Sequence, residues 1–238
     1  MQNEKKYLAL FILVILSQML TGCLRSYFPL YSQASATPVI FEPEQPVHDQ
    51  EKYISADILF ADGMHKNEAL QMLRASYFVV DTRDYVNING RLFGYYGNYN
   101  VSGMGDANGS KNAYGIGGEI NLNVNLKIHQ FKIGVGTAFG AATEFGSYYT
   151  FRKNGDNKNE LYSQQDWTFL TISVFPVIAY ESPEHNVLSF QVNTGVPGFY
   201  SPTVVWNRHG IVYWLSFLTA GDERPYYTRT MFGISKKL

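Results

Sequence analysis

The chain has 238 residues, with 19 Lys and Arg against 20 Asp and Glu, and a formal net charge of −1. It has no basic field for nucleic acid, so no nucleic-acid partner is predicted. Charged residues make up 16% and aromatic residues 16% of the chain, whereas about 25% charged residues is typical of soluble domains, and this composition favours β-structure with little ordinary water-facing surface.

Residues 1–22 have the three parts of a secretory signal peptide. Lys5 and Lys6 lie near the start, the apolar run 7–16 follows, and a less hydrophobic stretch ends at Gly22. The run has the length of a signal-peptide core, about 7–15 residues, and is shorter than the about 20 residues that span a membrane as a helix. The sequence therefore predicts export and removal of this leader.

The only cysteine of the chain, Cys23, directly follows Leu20, Thr21 and Gly22. This tetrapeptide resembles the lipobox of bacterial lipoproteins, in which a branched apolar residue and two small residues precede an obligatory cysteine. The resemblance covers only the leader. It implies that Cys23 carries diacylglycerol and an N-acyl chain such as palmitate, and that the protein is anchored in a Gram-negative outer membrane, since Leu24 rather than Asp follows. The alternative is an ordinary secretory peptide with an incidental cysteine.

The region after the cysteine is rich in proline. Four prolines fall between residues 24 and 50, among Ser, Ala and Gln. Proline favours extended backbone and cannot donate to a sheet ladder. We therefore predict a semi-extended tether over residues 23–50, which lifts a folded domain, residues 51–238, off the membrane surface. The apolar residues 39–41 could dock on that domain.

The clearest strand signal lies between residues 114 and 128. Its even positions are mostly apolar, and its odd positions are Gly, Asn, Glu and Lys. Because successive side chains of a strand point to opposite faces, this pattern predicts one long strand with an apolar and a polar face. The alternation resumes at residue 131 after His129 and Gln130, which predicts a hairpin.

Other segments carry weaker strand signals. In 84–101 the apolar parity slips near Leu92 and Phe93, which predicts a bulge. In 167–180, Pro176 predicts an edge strand or a bulge. The first half of 65–80 is compatible with a helix, but we prefer a strand from about residue 69. Further strands are predicted at 187–194, 211–219 and 226–236.

About eight to ten long strands favour closure of the sheet on itself, since closure removes exposed edges. We therefore predict an all-β fold, a closed antiparallel up-and-down β-barrel. The connections at 102–112 and 152–166 are long and polar. Short connections are predicted at 81–84, 128–130, 181–186 and 220–225. Short turns on one rim and longer loops on the other are typical of outer-membrane barrels.

Alternation alone leaves the direction of the apolar face open. A lipocalin-like periplasmic barrel would turn that face inward around an apolar ligand, and a membrane barrel would turn it toward lipid. The polar face, mostly Gly, Asn, Ser and Thr, favours the membrane barrel, as do aromatic residues near strand ends. Those aromatic residues are Tyr148, Tyr149, Trp167, Trp206 and Trp214. Charges on the polar face would then form a paired network in the lumen. The residues of this predicted network are Arg91, Glu119, Lys127, Lys132 and Arg229.

The sequence shows no convincing catalytic constellation. His209 near Ser201, with Asp222 or Glu223, could form a lipid-hydrolase site, but exposed turn residues explain the same pattern. Metal-ligand spacing such as H-E-x-x-H is missing. We therefore expect no enzyme, no metal and no cofactor beyond the acyl chains on Cys23. The predicted function is that of a lipid-anchored envelope barrel with a structural or interaction role. Its expected partners are membrane lipid and envelope proteins that contact 102–112 and 152–166.

Overall fold

The computed structural model describes residues 25–34, 38–43, 50–83, 85–196, 200–218 and 229–238. In chain order its strands are β1 (Arg25–Tyr27), β2 (Glu51–Asp62), β3 (Ala69–Thr82), β4 (Val86–Val101), β5 (Gly109–Ile128), β6 (Phe131–Thr143), β7 (Leu161–Ser163), β8 (Thr168–Glu181), β9 (Val187–Val196), β10 (Tyr200–Arg208), β11 (Ile211–Leu218) and β12 (Arg229–Lys237). All except β1 and β7 form one closed barrel of ten strands, paired antiparallel in sequence order. Pairing of β12 with β2 completes the ring. The predicted closed up-and-down barrel is confirmed.

The two remaining strands belong to a small structure at one end of the barrel. β1 pairs in parallel with β7, and β7 follows the helix α1 (Ser147–Asn157). The sequence predicts a plain polar loop over 152–166, so the helical turns are an addition to that prediction. Within the described ranges, every helix is too short or too polar to cross a membrane.

The connections between barrel strands differ at the two ends. We call one end the loop rim, where 63–68, 102–108 and 144–167 lie, and the other the turn rim, where 83–85, 129–130, 182–186 and 209–210 lie. β11 ends and β12 begins at the loop rim, although the sequence groups 220–225 with the short turns. Residues 219–228 themselves fall outside the described residues. The first residue of β2, Glu51, and the last residue of β12, Lys237, lie at the turn rim.

The apolar side chains of the alternating strands face outward. Leu170, Ile116 and Leu126 are 80%, 68% and 66% exposed, whereas Glu119 and Asn121 on the opposite face of β5 are buried. The buried polar positions on the lumen face are mainly amide and hydroxyl side chains. They include Asn87, Asn89, Asn121, Asn123, Asn125, Ser173, Ser189, Gln191, Asn193 and Asn207. A lipocalin-like barrel would require the reverse arrangement.

Two local predictions on the strands are wrong. β4 alternates without a bulge, because Leu92 and Phe93 pair one-to-one with Gly118 and Gly117. Phe93 is an apolar residue that points into the lumen, which is why the sequence parity slips there. Pro176 lies inside the closed ring, and the β8–β9 pairing resumes in unchanged register after a gap at 175–176. Since proline has no N–H to donate, it interrupts this ladder locally.

Of the aromatic residues that the sequence places near strand ends, only some lie on the outside of the barrel. Trp167 and Trp206 are 55% and 41% exposed on the outside. Tyr148 and Trp214 are buried instead. Trp214 points into the lumen against Gly233, where no larger residue would fit, because its Cβ would lie 2.1 Å from the indole ring.

Candidate functional site

The lumen is occupied by the chain's own N-terminal part. We call the described residues 25–34 and 38–43 the luminal segment. Most of them are buried, and Tyr27, Leu30, Val39 and Ile40 have 0% exposure. The interpretation of this region as a tether that holds the barrel away from the membrane is therefore wrong for these residues. The expectation that 39–41 docks on the folded domain is confirmed, and the docking surface is the inside of the barrel.

At the loop rim, the carboxylate of Glu68 holds the start of the luminal segment. Tyr27 donates its hydroxyl to Glu68 Oε1 at 2.7 Å, and Tyr99 of β4 donates to Glu68 Oε2 at 2.6 Å. The Arg25 guanidinium lies 3.9 Å from the same carboxylate and donates to the carbonyl of Ser102. Charge-assisted hydrogen bonds of this kind are the stronger ones in proteins. The segment is thus fixed to the connections that follow β2 and β4.

A second carboxylate, Glu144 after β6, fixes the next turn of the luminal segment. Its Oε2 accepts the backbone N–H of Leu30, and its Oε1 pairs with Arg152 of α1 at 2.5 Å. Burial raises the pKa of the Glu144 carboxyl, and the Arg152 charge opposes that rise. Arg152 also donates to the Ser163 hydroxyl at 2.9 Å. α1 and β7 are therefore joined to the luminal segment through a buried ion pair.

In the middle of the barrel, the ring of Tyr31 packs on the lumen wall. It stacks on Phe93 with a centroid distance of 4.6 Å and an interplanar angle of 17°. Its hydroxyl donates to Glu119 Oε2 at 3.3 Å. The inward position of Phe93, which breaks the sequence alternation of β4, is thus explained by its contact with the luminal segment.

Beside Tyr31 lies a buried charge cluster, formed by Asp57, Arg74, Arg91 and Glu119. Asp57 accepts from Arg74 Nε at 2.9 and 3.0 Å and from Arg91 Nη2 at 2.9 Å. The Arg74 guanidinium carbon lies 5.4 Å from the Tyr31 ring centroid. Two acidic and two basic groups balance each other, as burial of charge requires. The predicted network does not include Asp57 or Arg74, and no strand is predicted over 51–62, where β2 carries Asp57.

Toward the turn rim, amide side chains of three strands bind the backbone of the luminal segment. Gln191 of β9 accepts the N–H of Val39 at 2.8 Å. Asn87 of β4 donates to the carbonyl of Ile40 at 2.9 Å, and Asn207 of β10 donates to the carbonyl of Phe41 at 3.1 Å. These amides give the extended backbone of the segment partners that it lacks within itself.

Apolar contacts accompany these hydrogen bonds. Val39 and Phe41 form a buried cluster with Phe175, Val177 and other residues of β6, β8 and β9. The lumen face of β6 carries glycine at Gly136 because the ring of Phe175 occupies the space beside it. A Cβ on Gly136 would lie 2.4 Å from that ring. The lumen is packed with side chains from both the wall and the segment.

The luminal segment ends at the turn rim. Glu42 accepts the hydroxyl of Tyr53, and its carboxylate lies 3.9 Å from Lys237 Nζ near the C-terminal end. Lys237 also pairs with Glu51 at 2.6 Å. Glu42 is buried, while the neighbouring turn residue His209 is exposed, so the pair of Glu42 and Lys237 marks the mouth of the lumen.

The structure separates the five charges predicted for the lumen network. Arg91 and Glu119 are buried register partners in the central cluster. Arg229 is buried near the loop rim and donates to the carbonyl of Gln33 at 3.4 Å. Lys127 and Lys132 are register partners near the turn rim, where Lys132 is buried and Lys127 is exposed. Lys127 lies outside the enclosed part of the lumen, because the last residues of β5 at the turn rim are exposed.

Of the residues considered for a hydrolase site, the structure describes His209 and Ser201, and it holds them apart. His209 occupies the β10–β11 turn with a φ of 50°, and Ser201 is buried at the opposite end of β10. At about 3.3 Å per residue, their backbones are about 26 Å apart, so they cannot share a hydrogen bond. Asp222, Glu223 and His48 lie outside the described residues, as does Cys23. Among the residues that are described, no three metal-ligating side chains come together.

No family model and no curated protein matches the chain. Solved structures that resemble it include the β domain of the Bordetella autotransporter BrkA, at 8% identity over 79% of this chain and 98% of that chain, with a TM-score of 0.45. An outer-membrane channel from Pseudomonas putida F1 is 9% identical over 86% of this chain and 100% of that one, with a TM-score of 0.45. The outer-membrane protein OprG from Pseudomonas aeruginosa is 8% identical over 80% and 97%, with a TM-score of 0.35. The chain shares with them a closed antiparallel β-barrel, which here has ten strands.

Proposed function

We propose that this protein is an integral outer-membrane barrel with acyl chains on Cys23, and that it has a structural or interaction role rather than a catalytic one. The observation that carries the proposal is the apolar exterior around a polar, occupied interior. Monomeric soluble proteins rarely expose large contiguous apolar surfaces. A bilayer removes that difficulty, because it buries the outward-facing side chains of every strand.

Exposed aromatic residues support the same placement. On the loop-rim side, Tyr96, Tyr114 and Trp167 are 51%, 48% and 55% exposed. On the turn-rim side, Tyr85 and Trp206 are 63% and 41% exposed. Tyr and Trp are enriched at both membrane–water interfaces, where one end of the ring is apolar and the other wet. These two groups lie on either side of the aliphatic residues of the barrel wall.

The occupied lumen favours an interaction role over an open channel. Ten strands enclose a narrow space, and the luminal segment with its wall contacts fills it. Exposed polar residues remain at the loop rim, including Asp106, Lys153, Lys158 and Glu160. We propose that 102–112 and 152–166 supply the surface for envelope partners. Arg152 is excluded from that surface, since it is buried in the ion pair with Glu144.

The decisive experiment uses the full chain and its Cys23→Ala variant. We expect acyl chains on Cys23 by mass spectrometry, loss of those chains in the variant, and retention of both proteins in the membrane fraction after carbonate extraction. Both should show heat-modifiable migration in detergent, which is a property of closed barrels. A soluble, folded and monomeric Cys23→Ala protein would contradict membrane insertion, and an unmodified Cys23 in the native protein would contradict the anchor alone.

A further inference from the structure

We infer that the chain passes through its own barrel, so that the acylated end lies at the loop rim and inserts into the outer leaflet, on the cell-surface side. This inference rests on the proposed membrane insertion and acylation, and adds the leaflet to them. It depends on which rim each end of the luminal segment contacts.

The contacts that the described residues give the start of the segment lie at the loop rim. Arg25 to Tyr27 form β1 beside β7, which lies in the connection between β6 and β8. His65, in the connection between β2 and β3, bonds through Nε2 with the carbonyl of Ser26 at 3.2 Å. Its ring also contacts that of Tyr27, with a centroid distance of 5.0 Å. The segment thus meets three separate loop-rim connections, counting the Arg25 contact with Ser102.

The carbonyl of Gln33 still accepts from Arg229 near the loop rim, and the other contacts lie further down the barrel. Tyr31 reaches Glu119 in the central cluster, Val39 reaches Gln191, and Phe41 reaches Asn207, one residue before the end of β10. Glu42 meets Lys237 at the turn rim. This order describes a single passage from one rim to the other.

The length of the segment agrees with one crossing. An extended chain covers at most about 3.6 Å per residue, so residues 25–43 can reach about 65 Å, more than the about 25 Å apolar band of an outer-membrane barrel. A return passage would need a second stretch of buried chain before residue 25. Instead, Arg25 is bound among the loops.

The position of the loop rim in the cell follows from the way outer-membrane barrels are oriented. Their short turns face the periplasm, and their longer loops face outward. Cys23 stands two residues before Arg25, so covalent geometry keeps the two within about 7 Å. Acyl chains attached there cannot reach across a hydrocarbon core about 30 Å thick. The partner of the anchor is therefore the leaflet on the loop side.

An epitope tag in the full chain tests this assignment. The tag is inserted between Leu24 and Arg25, and antibody binding is compared in intact and permeabilised Gram-negative cells. One matched control carries the tag at Asp106, in a loop-rim connection, and a second carries it at Glu184, in a turn-rim connection. We expect the Leu24 tag to bind antibody equally in intact and permeabilised cells, as the Asp106 tag does. The Glu184 tag should bind only after permeabilisation. Heat-modifiable migration of each tagged protein verifies folding.

The controls separate the failure of this inference from failure of the proposed function. If the Leu24 tag behaves like the Glu184 tag while the Asp106 tag is detected on intact cells, the passage through the barrel is wrong and membrane insertion stands. If all three tags require permeabilisation and carbonate releases the proteins, membrane insertion itself fails.

Should the inserted tag prevent folding, Ser26→Cys with a membrane-impermeant maleimide provides the same comparison, because Ser26 differs from cysteine by one atom. Labelling of intact cells then supports the passage, and labelling only after permeabilisation overturns it.

Discussion

Individual side chains in the lumen carry charges that the barrel must neutralise internally. Asp57, Arg74 and Arg91 are at most 3% exposed, and Asp57 is the acceptor for both arginines. Removing one partner of a buried pair leaves an uncompensated charge, and typically costs about 3–5 kcal/mol. Glu119 lies in the same cluster but bonds the Tyr31 hydroxyl, so it does not replace the carboxylate of Asp57.

We expect a large effect for Asp57→Asn and a small one for Asp62→Asn, on the same strand. Asp57→Asn should lower the free energy of unfolding by about 3–5 kcal/mol, because both arginines lose their anionic partner. Asp62 is exposed at the rim, so its variant should differ from the unchanged protein by less than about 1 kcal/mol. Urea titration of folded protein in lipid vesicles gives both values. Equal values for the two variants would show that the cluster is hydrated rather than buried.

At the scale of the element, the strands are the part of the fold that the sequence predicts well. Alternation over 114–128 is strong because successive side chains face the outside and the lumen in turn, and the structure has β5 and β6 at the predicted hairpin. Parity fails at Phe93, whose inward ring meets Tyr31. An alternating sequence shows which side chains of a strand share a face. It does not show that an apolar side chain from another part of the chain, here Tyr31, will pack inside the polar lumen.

The burial of the luminal segment is also a feature that local sequence patterns predict only in part. Its prolines predict a backbone without long helices or strands, and the described part of the segment has no long regular element. The density of large apolar residues at 27–31 and 39–41 was the available signal that it is buried, because a solvated tether has no need of them. The strand that receives each contact could not be predicted, since those contacts join residues up to 196 positions apart.

An arginine on the outer face of the barrel should cost more stability if that face contacts lipid than if it contacts water. Leu92 on β4 is 68% exposed near the middle of the barrel wall, and Tyr85 is 63% exposed at the turn rim. Arginine at the bilayer midplane costs about 2–4 kcal/mol and near the interface about 0–1 kcal/mol. Leu92→Arg should therefore be destabilised by about 1–4 kcal/mol relative to Tyr85→Arg when folded into vesicles. Similar stability of the two variants would mean that the wall at Leu92 faces water.

At the scale of the whole molecule, closure of the lumen is shared between the wall and the luminal segment. Wall residues such as Arg74 and Trp214 fill part of the lumen themselves, whereas the space around Phe93 and Phe175 is filled by Tyr31 and Phe41 of the segment. A barrel of this size without its internal segment resembles a narrow pore lined by amides and hydroxyls. We therefore predict that removal of the segment would let small hydrophilic solutes cross.

Replacing residues 25–43 with nineteen Gly and Ser residues tests this role without shortening the chain. The replacement keeps Cys23 and the barrel strands, but removes the aromatic ring on Phe93 and the side chains packed on Phe175. We expect discrete single-channel currents in planar bilayers from the replaced protein and none from the unchanged protein, together with a lower temperature of heat-modifiable unfolding. Tyr85→Ala, an exposed aromatic change outside the lumen, serves as the control and should stay silent. A folded replacement protein that also stays silent would assign closure to the wall alone, whereas currents from the unchanged protein would show that the segment leaves a conducting path.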